Sequence, residues 1–308
     1  MNLKKLKVLI FGFGSIAKKH ATVLRGMGIN QIYVYSKQKK VPFMRVNNFN
    51  EIVKINPDYL IIASHTSSHF NYLSLIEKKM KKKLILVEKP LFDKFKKLKI
   101  KNNKVFVGYN LRFHPALQLI KKKIKNKKIW YASAICGSYL PEWRKTVKYY
   151  HSHSSKKRYG GGVLLELSHE LDYFLWFFKN FEIRYAYNKK ISNLKVNTDD
   201  ILELIGKNSK INYLNIKLNY FYRKPIRTIF IEGNNISIKA NLIKHSLSVM
   251  ENEKEKKYTW PQLNALDLYK KEHKNLLKKR FKHFCTYREG LNVMRLIDKI
   301  KKCKKKFI

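Results

Sequence analysis

The length, composition and charge of the chain exclude several classes of protein. Its 308 residues are about twice the length of a usual single domain, so we expect two domains. Hydrophobic residues make up 44% and aromatic residues 13%, which excludes a disordered or collagen-like chain. The net charge of +46 would suit nucleic acid, but only 11 of the 67 basic residues are Arg and the lysines are spread along the whole sequence. We therefore expect a basic solvated surface and no nucleic-acid partner.

Membrane insertion, export and disulfide bonding are not expected either. The apolar stretch 163–178 is too short and too charged to cross a bilayer. The apolar run at the N-terminus is short and lacks a small-residue cleavage site, so we interpret it as a first strand. Three scattered cysteines provide neither a disulfide framework nor a metal-binding spacing: Cys136, Cys285 and Cys303. We expect a reduced, cytoplasmic, soluble protein.

The first third of the chain alternates short apolar runs with amphipathic stretches. The apolar runs predict buried parallel strands at 6–11, 31–35, 59–63, 84–87 and 105–107. Helical spacing is found between them at 15–27, 67–79 and 92–100. This alternation predicts an α/β fold in which residues 1–113 form a Rossmann domain with a doubly wound parallel sheet.

The alternation of predicted strands and helices ends near residue 113. The pattern predicts a helix at 116–123, a strand at 129–135, a polar and aromatic segment at 137–158 and a second helix at 163–178. Strand follows strand from 182 to 250, and two helices, about 263–285 and 288–300, end the pattern. Residues 114–308 are therefore predicted to form a second, α+β domain with a large, mostly antiparallel open sheet.

A glycine-rich turn follows the first predicted strand and begins the first predicted helix. Its sequence is Gly12-Phe13-Gly14-Ser15-Ile16-Ala17, the G-x-G-x-x-A pattern of dinucleotide-binding turns. The first glycine permits the tight turn, the second lets the backbone approach a pyrophosphate, and Ala17 allows close packing of helix on strand. We predict that Gly12, Gly14, Ser15 and Ile16 bind a dinucleotide; a plain turn between strand and helix is the alternative.

The end of the second predicted strand indicates which dinucleotide is bound. An acidic residue there would bind the ribose 2′-hydroxyl of NAD, whereas a basic residue accommodates the 2′-phosphate of NADP. The chain has Ser36 and Lys37 at this place and no carboxylate. We therefore expect NADP(H) to be preferred and NAD(H) to be usable.

Four motifs, in order along nearly the whole chain, resemble those of the glucose–fructose oxidoreductase / inositol dehydrogenase / rhizopine catabolism (Gfo/Idh/MocA) oxidoreductases. They are the glycine turn followed by His20, the segment ASHTSSH at 63–69, the segment VEKPL at 87–91, and Gly160-Gly161-Gly162 before a helix with three polar residues. The segment GYNLRFHP at 108–115 also resembles the domain junction of that family. The resemblance implies a Rossmann domain and nicotinamide-dependent redox chemistry on a sugar or polyol. It also implies a second domain whose open sheet packs against another subunit, in a dimer or tetramer.

The resemblance also implies a set of cofactor contacts in the first domain. These residues follow the third, fourth and fifth predicted strands: Ser64, Thr66, His69, Glu88, Lys89 and Asn110. An alternative for the 63–69 loop is that Ser67 or Ser68 only caps the next helix. Lys89 matches the lysine of the family's E-K-P motif, and its ammonium group could hydrogen-bond the reacting oxygen.

The helix after the triple glycine carries the remaining candidate catalytic residues. The chain has only 12 glycines, so three in a row indicate that the backbone there lies close to something. Glu166, His169 and Asp172 are spaced three apart, which predicts that they share one helix face. We expect His169 to be the general base in the oxidation direction, oriented by Asp172 or Glu166. Many family members have Asp-x-x-x-His here, so this carboxylate register differs by one residue. Polar capping of an amphipathic helix is the alternative.

The segment 139–158 is rich in aromatic, polar and cationic residues, which suits a sugar that carries an anionic group. We predict substrate contacts from Arg112, Trp143, Arg144 and Tyr150 together with His169; a solvated loop is the alternative. His151 and His153 lack a carboxylate or Cys at ligand spacing, so no metal is expected.

Taken together, these features predict an NAD(P)-dependent oxidoreductase that transfers a hydride between a nicotinamide cofactor and a hydroxyl or keto carbon of a sugar, polyol or nucleotide-sugar. The alternative is a non-catalytic Rossmann-fold protein that binds a nucleotide as a sensor or regulator. Lys89 and His169 together favour the enzyme.

Overall fold

The structure, a computed structural model, describes residues 3–144 and 147–303. Its first part is a parallel sheet with helices between the strands, as the alternation predicts. The strands are β1 Lys7–Phe11, β2 Gln31–Tyr35, β3 Met44–Val46, β4 Tyr59–Ile62, β5 Leu84–Glu88 and β6 Lys104–Gly108. The helices between them are α1 Ser15–Gly26, α2 Phe49–Ile55 and α3 Thr66–Lys79. The residues of β4 are all buried, as expected for a central strand covered on both faces.

One predicted helix of this part is wrong. Residues 92–100 form no helix, although their spacing favours one. The reason is a tertiary contact: the Tyr287 hydroxyl donates to the carbonyl of Leu98 at 2.9 Å and accepts the Leu98 N–H at 2.9 Å. These bonds satisfy backbone groups that a helix would otherwise satisfy internally. Strand β3 and helix α2 were not predicted.

The second part is built on one large sheet. Its strands are β7 Ile129–Gly137, β8 Glu182–Lys189, β9 Ile201–Asn208, β10 Ile211–Asn219, β11 Ile226–Gly233, β12 Ile236–Asn241, β13 Ser246–Glu251 and β14 Lys254–Thr259. Their order in the sheet is β14-β13-β12-β11-β7-β10-β9-β8. Only β7 and β10 pair in parallel among these strands, so the prediction of a mostly antiparallel sheet is confirmed.

Helices of this part lie before and between the strands. They are α4 Pro115–Lys123, α5 Val163–Glu166 and α6 His169–Phe178. The predicted single helix 163–178 is wrong, because the first helix ends with Leu167 as its C-cap and a second begins at His169 with Ser168 as its N-cap. Glu166 therefore lies on a different helix from His169 and Asp172, and the three do not share one helix face.

The last elements are α7 Ala265–Leu277, β15 Cys285–Thr286 and α8 Tyr287–Lys302. Strand β15 pairs antiparallel with β6 at the edge of the first sheet, which has the order β15-β6-β5-β4-β1-β2-β3, and α7 packs on α1. An Asn264 and Asp267 capping box begins α7. Within residues 3–144 and 147–303, no helix is both long and apolar enough to cross a membrane.

The chain separates into two compact units. Unit 1 comprises the residues up to Asn110 together with Asn264–Leu291, and unit 2 comprises Leu111–Leu263 with the residues from Asn292 onward. The predicted boundary near residue 113 lies beside the first junction. That prediction assigned 264–291 to the second domain, whereas the packing of α7 and the pairing of β15 include it in unit 1.

Candidate functional site

The glycine-rich turn of unit 1 connects β1 to α1. Gly12 has φ of +86°, and a methyl group there would lie 2.8 Å from the Cα atom of Ser64. The Gly12 N–H donates to the carbonyl of Tyr35 at 2.9 Å. Gly12 is thus required where the ends of β1, β2 and β4 meet, since a larger residue would strain the backbone and collide with the loop that follows β4.

Gly14 has a different environment from Gly12. A methyl group at Gly14 would meet no atom within 4 Å. Gly14 is the N-cap of α1 with no side-chain capping bond, and no acidic residue lies in the first turn. First-turn amide groups of a helix have no carbonyl partner within the helix, so the amides of Ser15, Ile16 and Ala17 face a space that suits an anion. The buried Ala17 packs as the third small residue of the motif.

The loop after β2 lies beside this turn. The Gln38 side chain donates to the carbonyl of Phe13 at 3.1 Å, and the Gln38 N–H donates to Ser36 Oγ at 3.1 Å. Lys37 is exposed between them. The loop is therefore tied to the glycine turn, and the exposed Lys37 lies at the position predicted to contact the adenosine ribose.

The loop after β4 contains Ser64, Thr66 and His69. Thr66 begins α3 with His65 as the N-cap, so the alternative in which Ser67 or Ser68 caps the helix is wrong. His69 is 1% exposed, and its two ring nitrogens lie 3.1 Å from the carbonyl of Pro90 and 3.2 Å from that of Ser64. Burial lowers the pKa of His69. Since its ring is enclosed by backbone, we revise its role from cofactor contact to a brace between the loops after β4 and β5.

Glu88 and Lys89 lie at the carboxyl end of β5, where ligands of parallel sheets bind. Lys89 is half-buried and is followed by a cis peptide bond to Pro90. The Glu88 carboxylate is buried. Its Oε2 accepts the Lys89 N–H at 3.1 Å, and its Oε1 lies 2.8 Å from His20 Nε2. Both of its oxygens contact protein groups. We therefore assign Glu88 to orienting its neighbours and not to contacting a ligand.

Asn110 follows β6 at the end of the first segment of unit 1. Its side chain lies near the hydroxyl of Tyr269 on α7 and acts to lower the pKa of that hydroxyl. Burial raises the pKa of Tyr269 well above its usual range, so this hydroxyl stays protonated. That Asn110 contacts the cofactor stays a prediction.

His169 is the first residue of α6 in unit 2, and it is half-buried. The neighbouring Glu170 is completely buried and pairs with Arg227, with Arg227 Nε 2.7 Å from Glu170 Oε1. Asp172, one turn after His169, pairs with Arg112 through Nε at 2.9 Å and Nη2 at 2.7 Å. Two arginines therefore hold the first turn of α6 and fix where His169 begins it.

The pair of Arg112 and Asp172 changes one predicted role. Both residues are 1% exposed, and the Arg112 guanidinium also lies 5.4 Å from the centre of the Trp176 ring. A side chain with so little accessible surface does not meet a substrate from solvent. We therefore revise Arg112 from a substrate contact to the counter-ion of Asp172; that Asp172 orients His169 stays a prediction.

The triple glycine lies close to the protein's own backbone. A methyl group at Gly161 would collide with the carbonyl oxygens of His153 and Ser154, and one at Gly162 would collide with the Asp199 carboxylate. Gly160 and Gly162 have φ of +80° and +115°. The Asp199 carboxylate also accepts the Leu164 N–H at 2.8 Å and so caps α5. The close approach inferred from these glycines is internal packing.

Glu166 belongs to a polar cluster that the sequence did not predict. Its Oε1 accepts from Ser154 Oγ at 2.9 Å and lies 3.1 Å from His153 Nε2. Arg144 Nη1 lies 3.0 Å from His153 Nδ1. Arg144 Nη2 also lies 3.3 Å from His153 Nε2, so the guanidinium faces both ring nitrogens. The structure thus brings Arg144 and Glu166 together through His153, which sequence reasoning considered only as a metal ligand.

Two further predicted substrate residues lie in the segment 139–158, of which residues 145 and 146 lie outside the described residues. Trp143 donates to Ser138 Oγ at 2.7 Å and packs edge-on against Tyr220 at 5.2 Å. Burial, then the charge of Glu166, raises the pKa of Tyr220 well above its usual range. Tyr150 instead packs against Tyr149 and His151, with the Lys195 ammonium 5.9 Å from its ring centre.

Known structures resemble this chain in fold. Levoglucosan dehydrogenase in complex with NADH matches with a TM-score of 0.82 and 17% identity, over 96% of each chain. The WlbA dehydrogenase from Bordetella pertussis, in complex with NADH and UDP-GlcNAcA, matches with a TM-score of 0.75 and 15% identity over 97% of this chain and 96% of that one. UDP-N-acetylglucosamine 3-dehydrogenase GnnA from Acidithiobacillus ferrooxidans matches with a TM-score of 0.74 and 14% identity, over 96% of this chain and 97% of that one.

No protein-family profile and no curated protein sequence matches the chain. At identities of 14–17% the structural matches establish the fold, which is the Rossmann domain and large open sheet that the resemblance implied. Among residues 3–144 and 147–303, no group of three His, Cys, Asp or Glu side chains is arranged to hold a metal ion.

Proposed function

We propose that the protein is an NAD(P)-dependent oxidoreductase that transfers a hydride between a nicotinamide cofactor and a hydroxyl or keto carbon of a sugar, polyol or nucleotide-sugar. The observation that carries this proposal is the open space at Gly14, where the first helix of a Rossmann sheet presents uncapped amides. The similar folds of dehydrogenases, two of them described with NADH, support it.

The residues of unit 1 fit a dinucleotide. Gly14 leaves the space that a pyrophosphate requires, and the first-turn amides of α1 supply donors to its oxygens. The exposed Lys37 offers a cation near the ribose position. When bound, a nicotinamide supplies the hydride acceptor or donor.

Lys89 and His169 perform the acid–base part of the reaction in this proposal. In the oxidation direction His169 accepts the proton of the substrate hydroxyl, and the Lys89 ammonium hydrogen-bonds the same oxygen as it becomes a carbonyl. In reduction the proton moves from His169 to the oxygen. The ion pairs Glu170–Arg227 and Asp172–Arg112 hold the helix turn that carries His169.

The test is a panel of sugars, polyols and nucleotide-sugars scored by the absorbance of NADPH and NADH. We expect turnover with at least one member, and a loss of kcat on the order of 10²–10⁴-fold in Lys89→Met and His169→Gln. The exposed Lys94 is the matched control, because Lys94→Met removes an equal charge from the same loop. Dinucleotide binding with no turnover across the panel would favour the non-catalytic sensor instead.

We further propose that NADP(H) is preferred over NAD(H). The end of β2 offers Ser36 and the exposed Lys37, and no carboxylate to bind a ribose 2′-hydroxyl. Lys37→Ala should weaken NADPH binding and leave NADH binding nearly unchanged. The Lys37 ammonium group would pair with the 2′-phosphate, which NADH lacks. Lys54→Ala, an exposed charge at the end of α2, serves as the control. Tighter binding of NADH than NADPH by the unaltered protein would refute the preference.

The substrate is proposed to lie against the Arg144, His153 and Glu166 cluster and Trp143. These groups combine an aromatic surface with a cation and a carboxylate, which suits the hydroxyls and the anionic group of a modified sugar. Arg144→Leu is expected to raise KM for an anionic sugar more than it lowers kcat. An equal effect on charged and uncharged sugars would contradict this placement.

We propose that two or more copies associate through the uncovered face of the large sheet. Tyr131 and Tyr213 are cross-strand neighbours on this face, stacked at 5.8 Å and exposed by 36% and 40%. Tyr187 and Met250 are also exposed. Tyr213→Lys should convert a dimer or tetramer into a smaller species in sedimentation, because charge in an apolar interface is costly. A monomer in the unaltered protein would refute this proposal.

A cytoplasmic location is also proposed. It is supported by the small number and scattered positions of the cysteines, Cys136, Cys285 and Cys303, since small exported proteins usually have cysteines in paired sets. Fractionation of cells that express the protein tests it, and recovery outside the cytoplasm would refute it.

A further inference from the structure

A line of hydrogen-bonded side chains crosses the interior of unit 1 behind Lys89. Glu88 Oε1 lies 2.8 Å from His20 Nε2, and His20 Nδ1 lies 2.9 Å from His273 Nε2. His273 Nδ1 lies 3.0 Å from the Tyr59 hydroxyl. Both histidines and Tyr59 are completely buried. The members come from β5, α1, α7 and β4, so residues far apart in the sequence form one chain.

The direction of each hydrogen bond follows from the donors available. The Glu88 carboxylate already accepts the Lys89 N–H on Oε2 at 3.1 Å, so it acts as an acceptor and His20 Nε2 donates to Oε1. With the ring proton of His20 on Nε2, its Nδ1 accepts from His273 Nε2–H. His273 in turn accepts at Nδ1 from the Tyr59 O–H. Every ring nitrogen is satisfied once, and all donors point towards Glu88.

The surroundings disfavour a charge on His273 and on Tyr59. Burial lowers the pKa of His273 well below its usual range and raises that of Tyr59, so both stay neutral. The other titratable groups packed around the chain are Glu272 and Tyr269 of α7, and burial raises the pKa of each. A buried carboxyl group needs its hydrogen-bond partners in place, so these bonds hold Glu88 in one orientation.

The last link is the backbone of Lys89. Its N–H is held by the oxygen of Glu88 that His20 does not contact. Rotation of the Glu88 carboxylate would release this N–H at the residue whose ammonium group the proposed reaction uses. The orientation of Lys89 therefore depends on a residue of α7, in the segment 264–291 that returns to unit 1.

We propose that His273 is a positioning residue for Lys89: through His20 it holds the Glu88 carboxylate, and that carboxylate holds the Lys89 backbone. The effect on turnover rests on the proposed function, whereas the effect on the Lys89 backbone does not. The chain acts through hydrogen bonds alone and moves no proton in the reaction.

Two amide substitutions test the proposal. Gln places a donor near the position of His Nε2, so His273→Gln keeps the bond to His20. The Asn side chain reaches only the position of Nδ1. His273→Asn therefore keeps the hydrogen bond to the Tyr59 hydroxyl and loses the bond to His20. We expect His273→Asn to lower kcat on the order of 10²-fold, the size expected when a distant change misplaces a catalytic group. His273→Gln should retain kcat, and both variants should bind NADPH as the unaltered protein does.

The backbone of Lys89 provides a readout that does not need activity. Protein labelled with ¹³C at Glu carbonyls and ¹⁵N at Lys amides shows one signal for each Glu-Lys pair, and the sequence has four, at 77–78, 88–89, 253–254 and 255–256. The Lys89 signal, identified with Lys89→Arg, should shift in His273→Asn and stay in place in His273→Gln. The other three signals should stay in place in both variants.

The outcomes separate the two proposals. A shift of the Lys89 signal in the Asn variant alone, with no turnover on any sugar, would support the positioning chain and remove the proposed function. Equal shifts or equal losses of kcat in Asn and Gln would overturn the positioning role, because a merely structural residue makes no distinction between them. Histidine ¹⁵N spectra that show His20 protonated at Nδ1 would also overturn it, since the bonds would then run in the other direction.

Discussion

The two glycine-rich turns of this protein use the same residue for opposite purposes. At the turn before α1, a methyl group on Gly14 would meet nothing within 4 Å. At the turn before α5, a methyl group on Gly161 or Gly162 would collide with His153, Ser154 or Asp199. The first turn leaves room outside the protein for a ligand, whereas the second is filled by the protein itself. A glycine run therefore indicates close approach, and the structure is needed to say what approaches.

The surroundings of the two turns also differ in burial. Behind the second turn, α6 is held by the buried pairs Glu170–Arg227 and Asp172–Arg112. Beside the first turn, the loop with Ser36 and Lys37 is held by the Gln38 side chain and leaves its cation exposed. Substitutions in the second region should act first on stability, and those in the first turn should act first on ligand binding.

The largest effect is expected from breaking the pair of Arg112 and Asp172. Arg112→Leu leaves a buried carboxylate without its counter-ion and should lower the free energy of unfolding by about 3–5 kcal/mol. The double variant Arg112→Leu with Asp172→Leu should recover part of this loss, because no buried charge remains. Urea unfolding measures both. If the single variant loses less than about 1 kcal/mol, as expected for a surface pair, the interpretation of a buried pair is contradicted.

Gly161→Ala should have the next largest effect. The added methyl group collides with backbone carbonyls that cannot move like a side-chain end, so we expect a loss of about 1–3 kcal/mol. Gly26→Ala is the matched control, since a methyl group there meets nothing within 4 Å and Ala favours the end of α1. Thermal unfolding compares the two. Equal stability of both variants would mean that the second turn is as open as the first.

A smaller, pH-dependent effect is expected at Glu272 in unit 1. Burial, then the charge of Glu88, raises the pKa of this carboxyl well above its usual range. The unfolded chain loses the proton near pH 4.5 and the folded chain keeps it, so stability falls as pH rises from there towards the raised pKa. Glu272→Gln removes this loss, and its advantage in melting temperature should grow from pH 5 upward. The exposed Glu142→Gln should show no such trend; a constant difference for Glu272→Gln would contradict the raised pKa.

Much of the fold is readable from the sequence, and the errors have identifiable causes. Period and length predict β1, β2, β4, β5 and β6, because buried parallel strands are short continuous apolar runs. Strand β14 has the sequence KEKKYT, and an edge strand of this polarity gives no apolar signal. The spacing at 92–100 favours a helix, but hydrogen bonds from Tyr287 hold that segment in another conformation.

The candidate site is only partly readable. The motif at 12–17 predicts its own geometry, since Gly12 has a backbone requirement at the turn and Gly14 leaves open space beside α1. The chain from Glu88 to Tyr59 and the cluster of Arg144, His153 and Glu166 join residues distant in sequence, and no local pattern announces such contacts. At Arg112 the sequence indicated a ligand contact that the structure does not support. An Arg beside a domain junction suggests a ligand, but Arg112 is buried together with Asp172.

The central claim is that a dinucleotide pyrophosphate lies over the turn at Gly14. Calorimetric titration of the unaltered protein, Gly14→Ala and Gly26→Ala with NADPH tests it most directly. Gly14 has φ of −76°, which Ala adopts freely, so both variants should melt as the unaltered protein does or slightly higher. We expect Gly14→Ala to weaken NADPH binding on the order of tenfold or more and Gly26→Ala to leave it unchanged. Equal affinity in both variants, or no binding by the unaltered protein, would contradict the account.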